Sequence, residues 1–170
     1  MARKVKCKIT GEWGTNETFV KIDGHYYKSR EIYDEYKENK AYQKLIVKII
    51  FQDFLNHEEG QAVPSYLFKK LKELDVYPTQ VIYNTVIRNK SSINYYMNSK
   101  EFVSDSARIN YIFAIIKNNI NDEYKRFKAK KKKEIDKRKE VVVLQENELI
   151  SSGTVSSNLA KRGTDISSFL

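Results

Sequence analysis

The sequence predicts an α+β, mainly α protein: a small N-terminal β-hairpin module packed on a bundle of about five helices, with a basic C-terminal helical extension. Three observations carry this. Apolar residues alternate in short runs before Lys28, recur at helical spacing from Arg30 to Phe127, and then give way to a run at 125–139 holding ten basic and two acidic side chains. Two prolines and six glycines in 170 residues leave long stretches free to be helical.

The β module is expected over 1–29. Val5-Lys6-Cys7-Lys8-Ile9 alternates, Thr10-Gly11-Glu12-Trp13-Gly14 reads as a turn cluster, and Thr18-Phe19-Val20-Lys21-Ile22 alternates again. Asp23-Gly24 then separates Thr18–Ile22 from His25–Lys28, and a type I′ hairpin turn needs positive φ at both central residues, which this dipeptide supplies. Trp13, Phe19, Tyr26 and Tyr27 are expected to hold the module against the next helix.

The helical body is expected over 30–127. Ser29 can N-cap a helix from Arg30 to about Asn56, with Tyr42, Leu45, Ile46, Ile49, Ile50 and Phe54 as its buried stripe and Glu38-Asn39-Lys40 as a candidate break. Pro64 and Pro78 suit the first turns of two short helices, one carrying Leu67, Leu71 and Leu74, the other turning Val81, Ile82, Thr85 and Val86 inward. A brief helical segment around Ser91–Met97 follows. Asp105 or Ser106 is expected to cap the last long helix, whose stripe is Ile109, Ile112, Phe113, Ile116, Ile120, Tyr124 and Phe127. The extension covers 128–139, and 140–170 reads as a flexible tail whose last residues, with Asp165, Ile166, Phe169 and Leu170, have the composition of a docking segment.

Composition excludes several classes. Cys7 is the single cysteine and cannot form an intramolecular disulfide; no basic start with a long apolar run follows Met1, so the cytoplasm is the expected compartment. No stretch approaches a membrane span. Ser and His fall in no triad order, and Asp34, Glu35 and Glu38 read as helix-surface charge pairs, so no catalytic residues and no cofactor are expected.

The net charge of +9 is concentrated. Residues 1–124 carry 19 basic and 16 acidic side chains, whereas the candidate nucleic-acid-binding residues Lys125, Arg126, Lys128, Lys130, Lys131, Lys132, Lys133, Lys137, Arg138 and Lys139 fill one tract. Polyanion relieves their mutual repulsion; the plainer reading is a solvated helix end that aids solubility. The corner between 65–74 and 79–90 has helix-turn-helix dimensions, with Gln80, Asn84, Arg88, Asn89 and Lys90 as groove-facing candidates, or is simply packing. The 12 tyrosines suit base stacking or, more commonly, ring burial with the hydroxyl at the surface.

The order Lys6-Cys7-Lys8-x-Thr10-Gly11, a turn, Phe19-Val20-Lys21-Ile22, Tyr26-Tyr27-Lys28 and a helix opening Ile32-Tyr33-Asp34-Glu35-Tyr36 resembles small proteins from phages and prophages of low-GC Gram-positive bacteria. Their N-terminal treble-clef-like zinc knuckle reads Cys-x-x-Cys and then Tyr-Tyr-His-x-x-Cys. A helical body similar to Tyr111–Asp122 follows, and many end in an acidic-apolar tail. Here Thr10 replaces the second Cys, and Lys28 and Glu31 fall near the His and Cys positions. An ammonium and a neutral hydroxyl are poor zinc ligands, so the knuckle is degenerate and no metal is expected, although Cys7, His25 and Glu31 remain as a three-ligand alternative.

The resulting expectation is a non-enzymatic phage or prophage accessory protein that binds nucleic acid through its basic extension, in replication or transcription control. The alternative is an adaptor or inhibitor of a host or phage protein, including counter-defence, acting through the helical body or the tail.

Overall fold

Cys7 turns the chain through a knuckle: its N–H donates to the Glu12 carbonyl at 2.8 Å and its carbonyl accepts from Gly11 N–H at 3.0 Å. Gly11 sits at φ +72°, a left-handed conformation that favours glycine. The knuckle joins β1 (Lys4–Lys6) to β2 (Trp13–Thr15), antiparallel with Lys6 opposite Trp13. A second hairpin pairs β3 (Val20–Ile22) with β4 (His25–Tyr27) through Asp23 and Gly24 at φ +48° and +77°, the I′ geometry the dipeptide predicts. Lys8 N–H donates to the Tyr26 carbonyl at 3.0 Å and ties one hairpin to the other.

This computed structural model describes the backbone of residues 1–160 and the side chains of 1–137 and 139. The segment expected to be a turn at Trp13-Gly14 is a strand, and Trp13 is 65% exposed, so it does not hold the module as expected. Tyr27 does: it is 3% exposed and meets Tyr33 edge-on at 4.9 Å.

Ser29 caps α1 (Arg30–Lys48), its side chain accepting from Ile32 N–H at 3.4 Å, and no break occurs at Glu38-Asn39-Lys40. The chain then runs into a π-helix, Ile49–Phe54. Leu55 N–H reaches back to the Ile50 carbonyl at 3.1 Å. A π turn holds one more residue than an α turn and rotates the next residues toward the core. Ile50, Phe51, Phe54 and Leu55 are therefore all buried, while Leu45, expected inside, is 42% exposed.

Pro64 and Pro78 stand immediately before α2 (Ser65–Lys72) and α3 (Thr79–Arg88), and the four inward residues expected of α3 are all buried. Thr85 is satisfied there by donating to the Val81 carbonyl at 2.8 Å. α4 spans Lys90–Ser99. α5 runs Asp105–Ala160, and its cap is Ser104, whose hydroxyl accepts from Ala107 N–H at 3.2 Å. Ile109, Ile112, Phe113, Ile116 and Ile120 are at most 1% exposed, as their spacing predicts.

Three contacts set α2 and the turn after it against α5. Tyr66 donates to Asn110 at 2.6 Å, Lys117 to Glu73 at 2.7 Å and Tyr77 to Asn121 at 2.6 Å, each across 44 residues. A constant offset means the two segments advance in parallel. The chain divides into two units, Met1–Tyr124 and Lys125 onward. The helix continues past Lys139, where a flexible tail was expected from Glu140: no proline interrupts it, and extending an existing helix costs far less than nucleating one.

Candidate nucleic-acid interface

Lysine and alanine are good helix formers, so the tract holds its place in α5 despite its charge. Lys125, Arg126, Lys128, Lys130–Lys133, Lys137 and Lys139 are all exposed, and Phe127 is half-buried. The side chain of Arg138 lies outside the described ones. Consecutive residues on a helix point about 100° apart, so Lys130–Lys133 surround the axis and none shares a face with all the others. Two ammonium groups ~6 Å apart in water repel by roughly 0.7 kcal/mol, a cost repeated between neighbouring pairs along the run.

Two carboxylates lie within the tract, Glu134 and Asp136, four residues after Lys130 and Lys132. Lysine before the acid is the weaker orientation of an i,i+4 pair. Among the described residues, no ion pair engages Lys130, Lys131, Lys132 or Lys133. Lys131 instead places its Nζ 5.0 Å from the Phe127 ring centroid. Lys125, Arg126 and Lys128 do engage other groups of the protein. The centre of the tract thus keeps its cations available to an external polyanion.

Counting charge by segment conceals a second basic surface. Lys37, Lys40, Lys44 and Lys48 follow one another at intervals of three and four along α1, so they form one exposed stripe; Asp34, three residues before Lys37, stands at its N-terminal end and pairs with Arg30, while Glu35 and Glu38 fall on another side. Among the described residues, none of the four is in an ion pair. The stripe edges a cleft of about 490 Å³ that Lys8, His25, Tyr33 and Tyr36 also line. The three-and-four spacing of lysines was the available sequence signal.

Most of the helix-turn-helix candidates engage other groups of the chain, Arg88 and Lys90 at the surface. Arg88 Nε lies 2.9 Å from Glu123, which is 6% exposed; Lys90 pairs with Asp53 at 2.6 Å; Asn89 donates to the Thr85 carbonyl at 2.8 Å. Gln80 hydrogen-bonds the Tyr42 hydroxyl. With four of the five side chains engaged within the chain, this corner reads as packing.

At the knuckle, burial of Cys7 pushes its thiol up, but the Thr10 hydroxyl and the backbone amides of Thr10, Ile9 and Lys28 pull it down further, to about 7 from an ordinary 9.0. Thr10 therefore serves the sulfur by hydrogen bonding, and Lys28 pairs with Glu12 at 2.8 Å. Cys7, His25 and Glu31 do not come together: no group of three metal-ligating side chains occurs among the described residues. His57 contacts Asp105 at 2.8 Å and Gln61 at 3.0 Å and stacks on Phe51.

The docking residues Asp165, Ile166, Phe169 and Leu170 lie outside the described residues. No described helix is long and apolar enough to cross a membrane. No family model, curated protein or solved structure matches this chain.

Proposed function

We propose that this chain is a non-enzymatic nucleic-acid-binding protein whose tract at 125–139 holds the phosphodiester backbone without reading base sequence. The observation that carries the reading is the run Lys130–Lys133, exposed and with no carboxylate partner among the described residues. Neutralising phosphates releases condensed counterions, which is a sufficient driving force for affinity without any base contact. The resemblance of its N-terminal module and helical body to small phage and prophage proteins supports a role for this binding in replication or transcription control of a bacterial virus.

The test is a titration of duplex and single-stranded oligonucleotides against salt. About six neutralised phosphates give a log-log slope of roughly −5 on duplex, and replacing Lys130–Lys133 by Gln removes roughly three to four units of that slope. A variant that binds like the parent, with an unchanged slope, overturns the reading.

A further inference from the structure

The last turns of α1, the π-helix, the loop after it, α2 and α3 enclose a groove of about 600 Å³. Its floor is apolar: Val47, Phe51, Val63, Phe68 and Leu71 line it. Phe68 is 51% exposed, although α2 has its own buried anchor in Leu67. The π-helix contributes directly, because the wider turn places Phe51 and Gln52 on the groove wall. The rim is basic. Lys40, Lys44, Lys48 and Lys72 border the groove against two acids, Glu59 and Asp75, and none of these lysines is in an ion pair among the described residues.

An apolar floor and a cationic rim demand different things of an occupant. A phosphodiester strand would answer the lysines but has no aliphatic group to cover Phe68, Val47 and Leu71. A purely apolar segment would cover the floor but leave the ammonium groups facing it. We infer that the groove docks an acidic amphipathic helix of a partner protein, its aliphatic anchors on Phe68 and Leu71 and its carboxylates along Lys40, Lys44 and Lys48. The rim lysines of α1, Lys40 to Lys48, span nine residues, about 12 Å, which matches a little over two turns of such a helix with anchors at i, i+3 or i+4 and i+7. This surface is independent of the tract at 125–139 and stands whether or not that tract binds phosphate.

The full chain is titrated by fluorescence anisotropy with a labelled synthetic helix of about four turns carrying Leu on one face and Glu on the other. A counterpart with Lys in place of Glu and a labelled oligo-dT serve as controls. Expected is saturable binding of the Leu/Glu helix, and binding weaker by about tenfold or more for the Leu/Lys helix. Phe68→Ser, at a half-exposed position, and the surface pair Lys44→Glu with Lys48→Glu each weaken the Leu/Glu helix by about tenfold. Circular dichroism confirms that both variants remain folded. The inference is overturned by absence of saturable binding, by equal binding of the two helices, or by a Phe68→Ser variant that binds as the parent does. It is also overturned if oligo-dT displaces the helix and its own binding depends on Lys44 and Lys48 but not on Phe68, since the groove would then be a nucleic-acid face.

Discussion

Gly14 faces the Phe19 ring so closely that a Cβ added there would stand 2.3 Å from Phe19 Cε1, a distance no carbon pair adopts without displacement. Gly14→Ala is expected to cost on the order of 1–3 kcal/mol through overpacking, read as a lower denaturant midpoint at unchanged m. Cys7 gives a pH-dependent counterpart. Its thiol is held at about 7 in the folded chain against an ordinary 9.0, so the folded state favours the thiolate. A depressed acid contributes stability that is present above its unfolded value and lost as pH falls through the folded one. Stability is therefore expected to fall between about pH 9 and pH 7, and Cys7→Ser flattens that dependence. Thiolate absorbance at short ultraviolet wavelength is expected to titrate with a midpoint near 7, and Thr10→Val is expected to move it upward. The sequence marks Cys7 and Thr10 as knuckle positions but not what the sulfur does there, because three of its hydrogen-bond donors are backbone amides whose aim depends on the finished turn. Trp13 was misplaced for a related reason: aromatic identity alone does not reveal which side of a strand of three residues meets the body.

Elements were most legible where one local rule governs them. Asp23-Gly24 forces its hairpin, and the stripe from Ile109 to Ile120 is a plain 3.6-residue period. The π-helix at Ile49–Phe54 was not legible: its apolar run satisfies an α stripe as well, and only packing reveals that Phe51 and Leu55 are buried together. Ser104 displaced Asp105 as the cap of α5, leaving the Asp105 carboxylate to His57. The contacts of Tyr66, Glu73 and Tyr77 with α5 join residues 44 apart, beyond the reach of any local pattern. Tyr77→Phe removes a hydrogen bond of 2.6 Å while keeping the ring against Tyr124, and is expected to cost about 1 kcal/mol in chemical denaturation. Glu73 is held below the usual carboxylate range by Lys117 first and Lys70 second, so Lys117→Gln is expected to raise its titration midpoint in carbon-detected NMR.

At the scale of the molecule, net charge was informative about the tract and misleading about the body. Residues 1–124 nearly balance, yet Lys37, Lys40, Lys44 and Lys48 occupy a single stripe, since a sum over sequence discards direction. Replacing Lys40, Lys44 and Lys48 by Gln is expected to leave the melting temperature within a few degrees, because no described ion pair is lost, a result that scanning calorimetry checks. The same stripe borders both described clefts, so charge on the folded unit is organised even where it cancels. The three links from α2 and its following turn to α5 bear on how the chain finds this arrangement. Because each spans an equal stretch of chain, whichever forms first closes a loop of 44 residues at an entropic cost of about 3.4 kcal/mol, and each of the other two then closes only the shorter segments that separate it from that first link, at a smaller cost. Kinetic φ-values at Tyr66, Glu73 and Tyr77 should accordingly rise or fall as one group.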